Sequence, residues 1–288
     1  MCRTIKKLWM TAKSGTNWLT GWCICRRGMN SGNFGRAGRN LTRWNICRAG
    51  TGRLSLEILD VLRQEKKYLL SIEQTERMRR SLGRVLEEDA HARQGGYLVR
   101  SLYFDTPDDT DFREKSDGIG ERRKIRLRIY DPGDKNAKLE LKEKTGDFQR
   151  KRSLTVSREE AEQMMEGNYT SLLLREDAFA QDMYLTMQEK AYRPRCVVEY
   201  DRSAWLVREN DIRITLDANI RATESHLDLF SRNLLTYPVS ERGITTLEVK
   251  FNHFLLSYVR DLLALHGQPQ VSASKYCMAR SIGMRGTE

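Results

Sequence analysis

The chain has 288 residues, a mass of 33.5 kDa, and 50 Lys and Arg against 39 Asp and Glu, for a formal net charge of +11. That length can bury a substantial core, but the charge does not mark a nucleic-acid binder. Ten of the basic residues fall in residues 1–50, which hold no Asp or Glu, so the rest of the chain is close to neutral, with 40 basic side chains against all 39 acidic ones. Six Cys with no CxxC pair, four His with no HxxxH pair and no GxGxxG, Walker or GxSxG sequence exclude structural zinc, a disulfide framework, a dinucleotide fingerprint and a serine-hydrolase elbow as readings.

Residues 1–52 carry four of the five Trp and four of the six Cys without sustained periodicity. Their apolar runs are too short and too interrupted for a transmembrane helix or a secretory h-region. They are expected to lie outside the fold, as a disordered arm or a spurious upstream extension, with a basic tail for anionic partners as the alternative. The folded unit is expected over residues 53–288, in a cytoplasmic protein, since the two remaining Cys, Cys196 and Cys277, have no metal-ligand spacing.

In chain order, "LRQEKKYLL" predicts a strand over 61–70 with Arg63, Glu65 and Lys67 on one face. Residues 71–90 predict a helix, opened by Ser71 and Gln74 in capping-box spacing and striped by Met78, Leu82 and Leu86. Strands follow at 97–105, 122–131, 137–145 and 150–156, joined in part by the short polar turns "DPGDKNA" and "TGDFQ". Two of these strands carry the strongest signal. In "RRKIRLRIYD", Lys124, Arg126 and Arg128 alternate with Ile125, Leu127 and Ile129; in "KLELKEK", Lys138, Glu140, Lys142 and Lys144 alternate with Leu139 and Leu141. Like charges on neighbouring strands repel, which points to a polyanion that repays the cost.

Helices are expected at 157–166, with a second Ser-to-Glu capping box, and at 177–192. Strands at 195–205, 206–217 and 244–251 place Tyr200 with Arg202, Arg213 with Thr215 and Asp217, and Glu248 with Lys250 on single faces; a helix is expected over 252–266. Eight mostly antiparallel strands with short connections favour a closed barrel within an α+β fold, since closure removes open edges. The apolar faces must meet the helices, so the charged faces turn inward. An interior of Lys, Arg and Glu cannot be dry; a wet, ligand-filled tunnel is expected.

The ordered set "EKKYLL", "SLYFDT", "KIRLRIY", "LELKEK", "KRSLTVS", "EYDRSAW", "IRITLD", "LEVKF" and "SKY" resembles the VTC polyphosphate polymerase domain of the triphosphate tunnel metalloenzyme (CYTH-like) group, over about 57–282. The resemblance implies an eight-stranded antiparallel tunnel and metal-dependent transfer of the ATP γ-phosphate to a growing polyphosphate chain. It implies Lys67, Arg126, Arg128, Lys142, Arg202, Arg213 and Lys275 as the catalytic set, and Lys144, Lys151, Tyr200, Lys250 and Ser274 as substrate ligands. Glu248 is implied as the ligand of Mn²⁺ or Mg²⁺, and Glu65 and Glu140 share its inward parity. Adjacent Arg152 leaves the register at Lys151 open. Two positions depart from the eukaryotic pattern: Lys144 stands in place of a histidine, and Ser272 in place of a second terminal lysine. The implied partners are ATP and inorganic polyphosphate or pyrophosphate, with no nucleic acid, and membrane association through a partner protein stays open. A tunnel triphosphatase and a non-catalytic polyanion-binding module remain as alternatives.

Overall fold

A computed structural model describes residues 63–90, 95–146, 148–263 and 268–285. The expectation for residues 1–52 lies outside the described residues. In chain order the elements are β1 (Arg63–Leu70), α1 (Ile72–Val85), β2 (Glu87–Glu88), β3 (Tyr97–Asp105), α2 (Thr110–Ser116), β4 (Glu121–Ile129), β5 (Asn136–Thr145) and β6 (Phe148–Ser157). Then come α3 (Arg158–Met165), α4 (Thr170–Leu173), α5 (Ala178–Glu189), β7 (Arg193–Val207), β8 (Ile212–Thr223), β9 (Tyr237–Pro238), β10 (Thr245–Asn252), α6 (Ser257–Leu263) and α7 (Lys275–Arg285). No described helix is long and apolar enough to cross a membrane.

The local signals act as read. Ser71 accepts from the Gln74 amide at 3.2 Å while the Gln74 side chain accepts from the Ser71 amide at 2.9 Å, and Ser157 with Glu160 repeats the arrangement. Gly167 closes α3 in a left-handed conformation with φ of 86°. Met78 and Leu82 bury the inner stripe of α1 against Trp205, Ile214, Leu247 and Val249. On the same outer side of the sheet, Ile125, Leu127, Leu139 and Leu141 pack against Ala161, Met164, Leu172, Met183 and Met187 from α3, α4 and α5.

The sheet is antiparallel and runs β1-β10-β8-β7-β3-β4-β5-β6, with β2 on β7 and β9 on β8. It is not closed into a barrel, which corrects the expected eight-stranded tunnel: among the described residues β1 and β6 do not pair. The reason lies at the edge of β1, where the Val271 amide donates to the Lys67 carbonyl at 2.9 Å and the Lys67 ammonium donates to the Ala273 carbonyl at 3.0 Å. The chain before α7 occupies the edge that closure needs. The sheet nevertheless curls into a trough, tightly enough that Lys142 on β5 feels Glu65 on β1 and Glu248 and Lys250 on β10.

Two boundaries differ from expectation. The turn between β7 and β8 falls at Glu209–Asp211 rather than near residue 206, because Asn210 and Asp211 take positive φ, which Asn and Asp tolerate. The helix expected from 252 begins only at Ser257: β10 runs through Asn252, and His253 turns the chain with φ of 59°. Helix α2 was not anticipated; it is nucleated by buried Asp105, whose carboxylate accepts from the amides of Thr106, Asp111 and Phe112.

Candidate functional site

Every expected site residue on a strand projects from the concave face. The pairing register sets Lys67 opposite Glu248 and Glu65 opposite Lys250, Arg202 opposite Asp217, and Lys142 between Lys124 and Lys151. This resolves the choice at β6. Lys151 lies in the trough, whereas Arg152 is on the other face with Glu143, Asp182 and the ring of Phe179.

Three carboxylates organise the cations. Glu140, 1 % exposed, receives Nε and Nη2 of Arg126 at 2.7 Å each, Nζ of Lys151 at 2.5 Å, and Nη1 of Arg128 at 3.7 Å. Burial pushes its carboxyl up, but Arg126, Arg128 and Lys151 together hold it well below the usual carboxylate range. Arg126 also donates to the Tyr103 hydroxyl at 3.0 Å, and Arg128 to Ser101 Oγ at 3.3 Å. Asp217, fully buried, takes a bidentate pair from Arg202 at 2.7 and 2.8 Å and Nζ of Lys275 at 2.5 Å. Burial opposes its ionisation, and Arg202 and Lys275 overcome it, setting its pKa at about 2. Both cations also lie over the ring of Tyr200, at 5.2 and 4.7 Å from its centroid.

The third centre is Glu248, which contacts Lys250 and lies 3.8 Å from Lys67; Lys67 is 2.8 Å and Lys250 3.8 Å from Glu65. Burial raises both carboxyls, yet the lysines keep both below their ordinary values. Lys142 has no acidic contact among the described residues: burial, then Lys250 and Arg126, push its ammonium well below the ordinary lysine value. Arg213 sits at the far end of the trough, 2.6 Å from Asp89 and 3.1 Å from the Tyr97 hydroxyl. Ser274 precedes α7 and accepts from the Cys277 amide at 3.3 Å and from Lys124 Nζ at 2.5 Å. Lys144 lies at the opposite end from Arg213, paired in register with Arg122.

Parity alone placed Glu140 and Asp217 on the right face, although their clasping of two or three cations each was not legible from spacing. Asp89, Tyr97, Tyr103 and Lys115 were not singled out. Asp89 lies on a loop and Lys115 on a short helix, where no period of two marks an inward side chain.

The donor set can be weighed against a divalent ion. Among the described residues no group of three or more His, Cys, Asp or Glu side chains converges. Lys67 and Lys250 touch both Glu248 and Glu65, and Asp217 is near enough for the Glu248 charge to act on it. This does not fit a cation caged by protein alone. It fits a hard ion such as Mg²⁺ or Mn²⁺ that takes one or two carboxylates and completes its shell with phosphate oxygens.

A family profile described as the VTC domain matches residues 62–283. No curated protein matches the chain significantly. Among solved structures, a "putative adenylate cyclase" from Bacillus halodurans is 16% identical, with a TM-score of 0.42 over 73% of this chain and 92% of that one. The PH1819 protein of Pyrococcus horikoshii is 13% identical, with a TM-score of 0.40 over 77% of this chain and 99% of that one. The PH1012 protein of the same organism is 12% identical, with a TM-score of 0.33 over 77% and 90%.

Proposed function

The chain belongs to the VTC domain family, and from that premise we propose that it is a polyphosphate polymerase that moves the γ-phosphate of ATP onto a growing phosphate chain held in the basic trough. The observation that carries this reading is the concave face itself, where Arg126, Arg128, Lys142, Lys151, Arg202 and Lys275 converge from four strands and a helix with fewer carboxylates than cations among them.

Phosphoryl transfer asks little covalent chemistry of a protein and much neutralisation and alignment. Arg126, Arg128 and Arg202 offer planar forks for non-bridging oxygens, and Lys67, Lys142 and Lys275 offer point charges. Glu140 and Asp217 hold the arginines in place before substrate arrives, so little ordering is left for the binding step. In the transfer, a terminal oxygen of the acceptor chain bonds to the γ-phosphorus as its bond to the β,γ-bridging oxygen breaks; ADP departs and the chain is one phosphate longer. Glu248, with Glu65, would hold the divalent ion, which when bound neutralises charge on the phosphates. Tyr200 sets the height of Arg202 and Lys275 above its ring. Lys144, Lys250 and Ser274 complete the substrate ligands.

The test is incubation of the full chain with ATP and Mn²⁺ or Mg²⁺, followed by gel separation of phosphate chains. Ladders of lengthening polyphosphate with matching ADP release support polymerisation. Release of inorganic phosphate without chains would assign the site to triphosphate hydrolysis, and binding without turnover to a polyanion module.

A further inference from the structure

Lys275 is unlike the other cations of the trough, because it comes from a helix rather than a strand. A strand side chain is aimed by the pairing of its neighbours, whereas α7 needs some other tie to set its rotation and height. Apolar packing gives it little. Among the described residues of α7 only Tyr276 and Ala279 are buried, and burial of that kind is non-directional.

The directional tie is a hydrogen bond. The Tyr276 hydroxyl donates to Asp105 Oδ2 at 2.5 Å, joining residues 171 positions apart. Burial and then the Asp105 charge push this hydroxyl far up, so it keeps its proton and acts as the donor. Asp105 is fully buried at the end of β3, and no lysine or arginine contacts it among the described residues. Its partners are the amides of Thr106, Asp111 and Phe112 at 2.7, 2.9 and 3.0 Å and this one phenol. The carboxylate that nucleates α2 therefore also anchors α7. The Tyr276 ring is held as firmly, stacked on Tyr103 at 5.1 Å and edge-on to Phe112 at 6.4 Å.

Lys275 directly precedes Tyr276, and neighbouring residues of a helix lie about 100° apart around its axis. Fixing the direction of the Tyr276 hydroxyl thus fixes the direction of Lys275, whose ammonium lies 2.5 Å from Asp217 and 4.7 Å from the centre of the Tyr200 ring. Asp217 by itself cannot do this. It is already claimed by the Arg202 fork, and an arriving anion competes with it for Lys275.

We propose that Asp105 is a positioning residue for phosphate binding, acting through the Tyr276 hydroxyl to fix the rotation of α7 and so hold the Lys275 ammonium at the trough floor. The inference deepens the functional reading above and rests on it only for the identity of the anion that Lys275 meets. Tyr276 touches no substrate in this account; its work is to spare Lys275 the cost of being ordered when the anion binds.

The experiment is a pair of double-mutant cycles in the full-length protein, read as tripolyphosphate affinity by calorimetry without divalent metal. Tyr276→Phe deletes one oxygen and keeps the ring between Tyr103 and Phe112. It should lower the affinity about tenfold, the scale of one hydrogen bond to a charged group. In a Lys275→Ala background the same change should cost less than about twofold, because the group it positions is gone. In an Arg126→Ala background it should again cost about tenfold, since Arg126 rests on Tyr103 and Glu140 and not on the Tyr276 hydroxyl. A merely structural role would carry its loss into both backgrounds alike. Asp105→Asn perturbs the same contact from the other side and should repeat the pattern, which keeps the question open to an answer if either variant does not fold.

Unaltered affinity in Tyr276→Phe overturns the proposal, as does a full loss that persists without Lys275. Coupling of Tyr276 to Lys275 in a protein that makes no polyphosphate from ATP would sink the polymerase reading and leave the positioning role standing. Polyphosphate synthesis with no such coupling would do the reverse.

Discussion

Replacing Asp217 by Asn removes one negative charge from the floor of the trough and leaves the shape almost unaltered. The carboxylate is fully buried and is the shared partner of Arg202, in a bidentate pair at 2.7 and 2.8 Å, and of Lys275 at 2.5 Å. An amide can accept from one of these cations and must turn its NH₂ towards the other. Breaking a buried pair by removing one member costs about 3–5 kcal/mol, since the remaining charges stay desolvated. For a domain of this size 1 kcal/mol is worth about 2–4 °C, so the melting temperature of the free protein should fall by about 6–20 °C. A bound polyanion supplies the missing counter-charge. At about one hundred times its dissociation constant, tripolyphosphate stabilises any single-site binder by about 2.7 kcal/mol, and the variant should gain more than the wild-type protein does at the same concentration. Urea titration with and without tripolyphosphate measures both quantities. Equal destabilisation in the two conditions would mean that Arg202 and Lys275 do not face the anion, and an undiminished stability of the free variant would refute the claim that Asp217 balances them.

Arg126→Ala and Arg128→Ala should each weaken tripolyphosphate binding by about 1.5–3 kcal/mol in calorimetry; unaltered affinity in both would put this strand face outside the anion path. Glu248→Gln should abolish metal-dependent turnover while metal-free triphosphate binds at least as tightly, because a negative charge has left a basic site; a normal rate across a Mn²⁺ titration would remove Glu248 from the mechanism. The Lys124 ammonium titrates at about 8 in the folded chain against 10.5 for an ordinary lysine. Its desolvation penalty is full below pH 8 and is relieved as the pH rises towards 10.5, so this group makes the free protein more stable across that window. A bound phosphate chain needs the ammonium charged, so long-chain affinity should fall as the pH rises through about 8, with proton uptake on binding detectable in buffers of different ionisation enthalpy. A pH-independent affinity from 7 to 9.5 would contradict it.

Period-two alternation determined much of this protein from sequence alone. Lys124, Arg126 and Arg128 share a face, as do Glu140 and Lys142, because successive side chains on any extended strand point to opposite sides, whatever the partner strands are. The two capping boxes and the apolar stripe of α1 were legible for the same reason: each is set by residues within one or two turns of one another. What stayed hidden involves residues far apart in the chain. Whether the sheet closed depended on which segment took the edge of β1, and residue 271, more than two hundred positions downstream, took it. The choice between Lys151 and Arg152 was decided by register, which a single strand does not specify. Asp217 could be assigned a face but not a task, since its task is to balance Arg202 on the next strand and Lys275 on a helix near the end of the chain. That Lys67, Lys115 and Lys124 crowd around residues 272–274 could not be read from sequence, although Lys67, Lys124 and Ser274 were singled out separately, because charge repulsion acts through space and only the folded chain sets those distances.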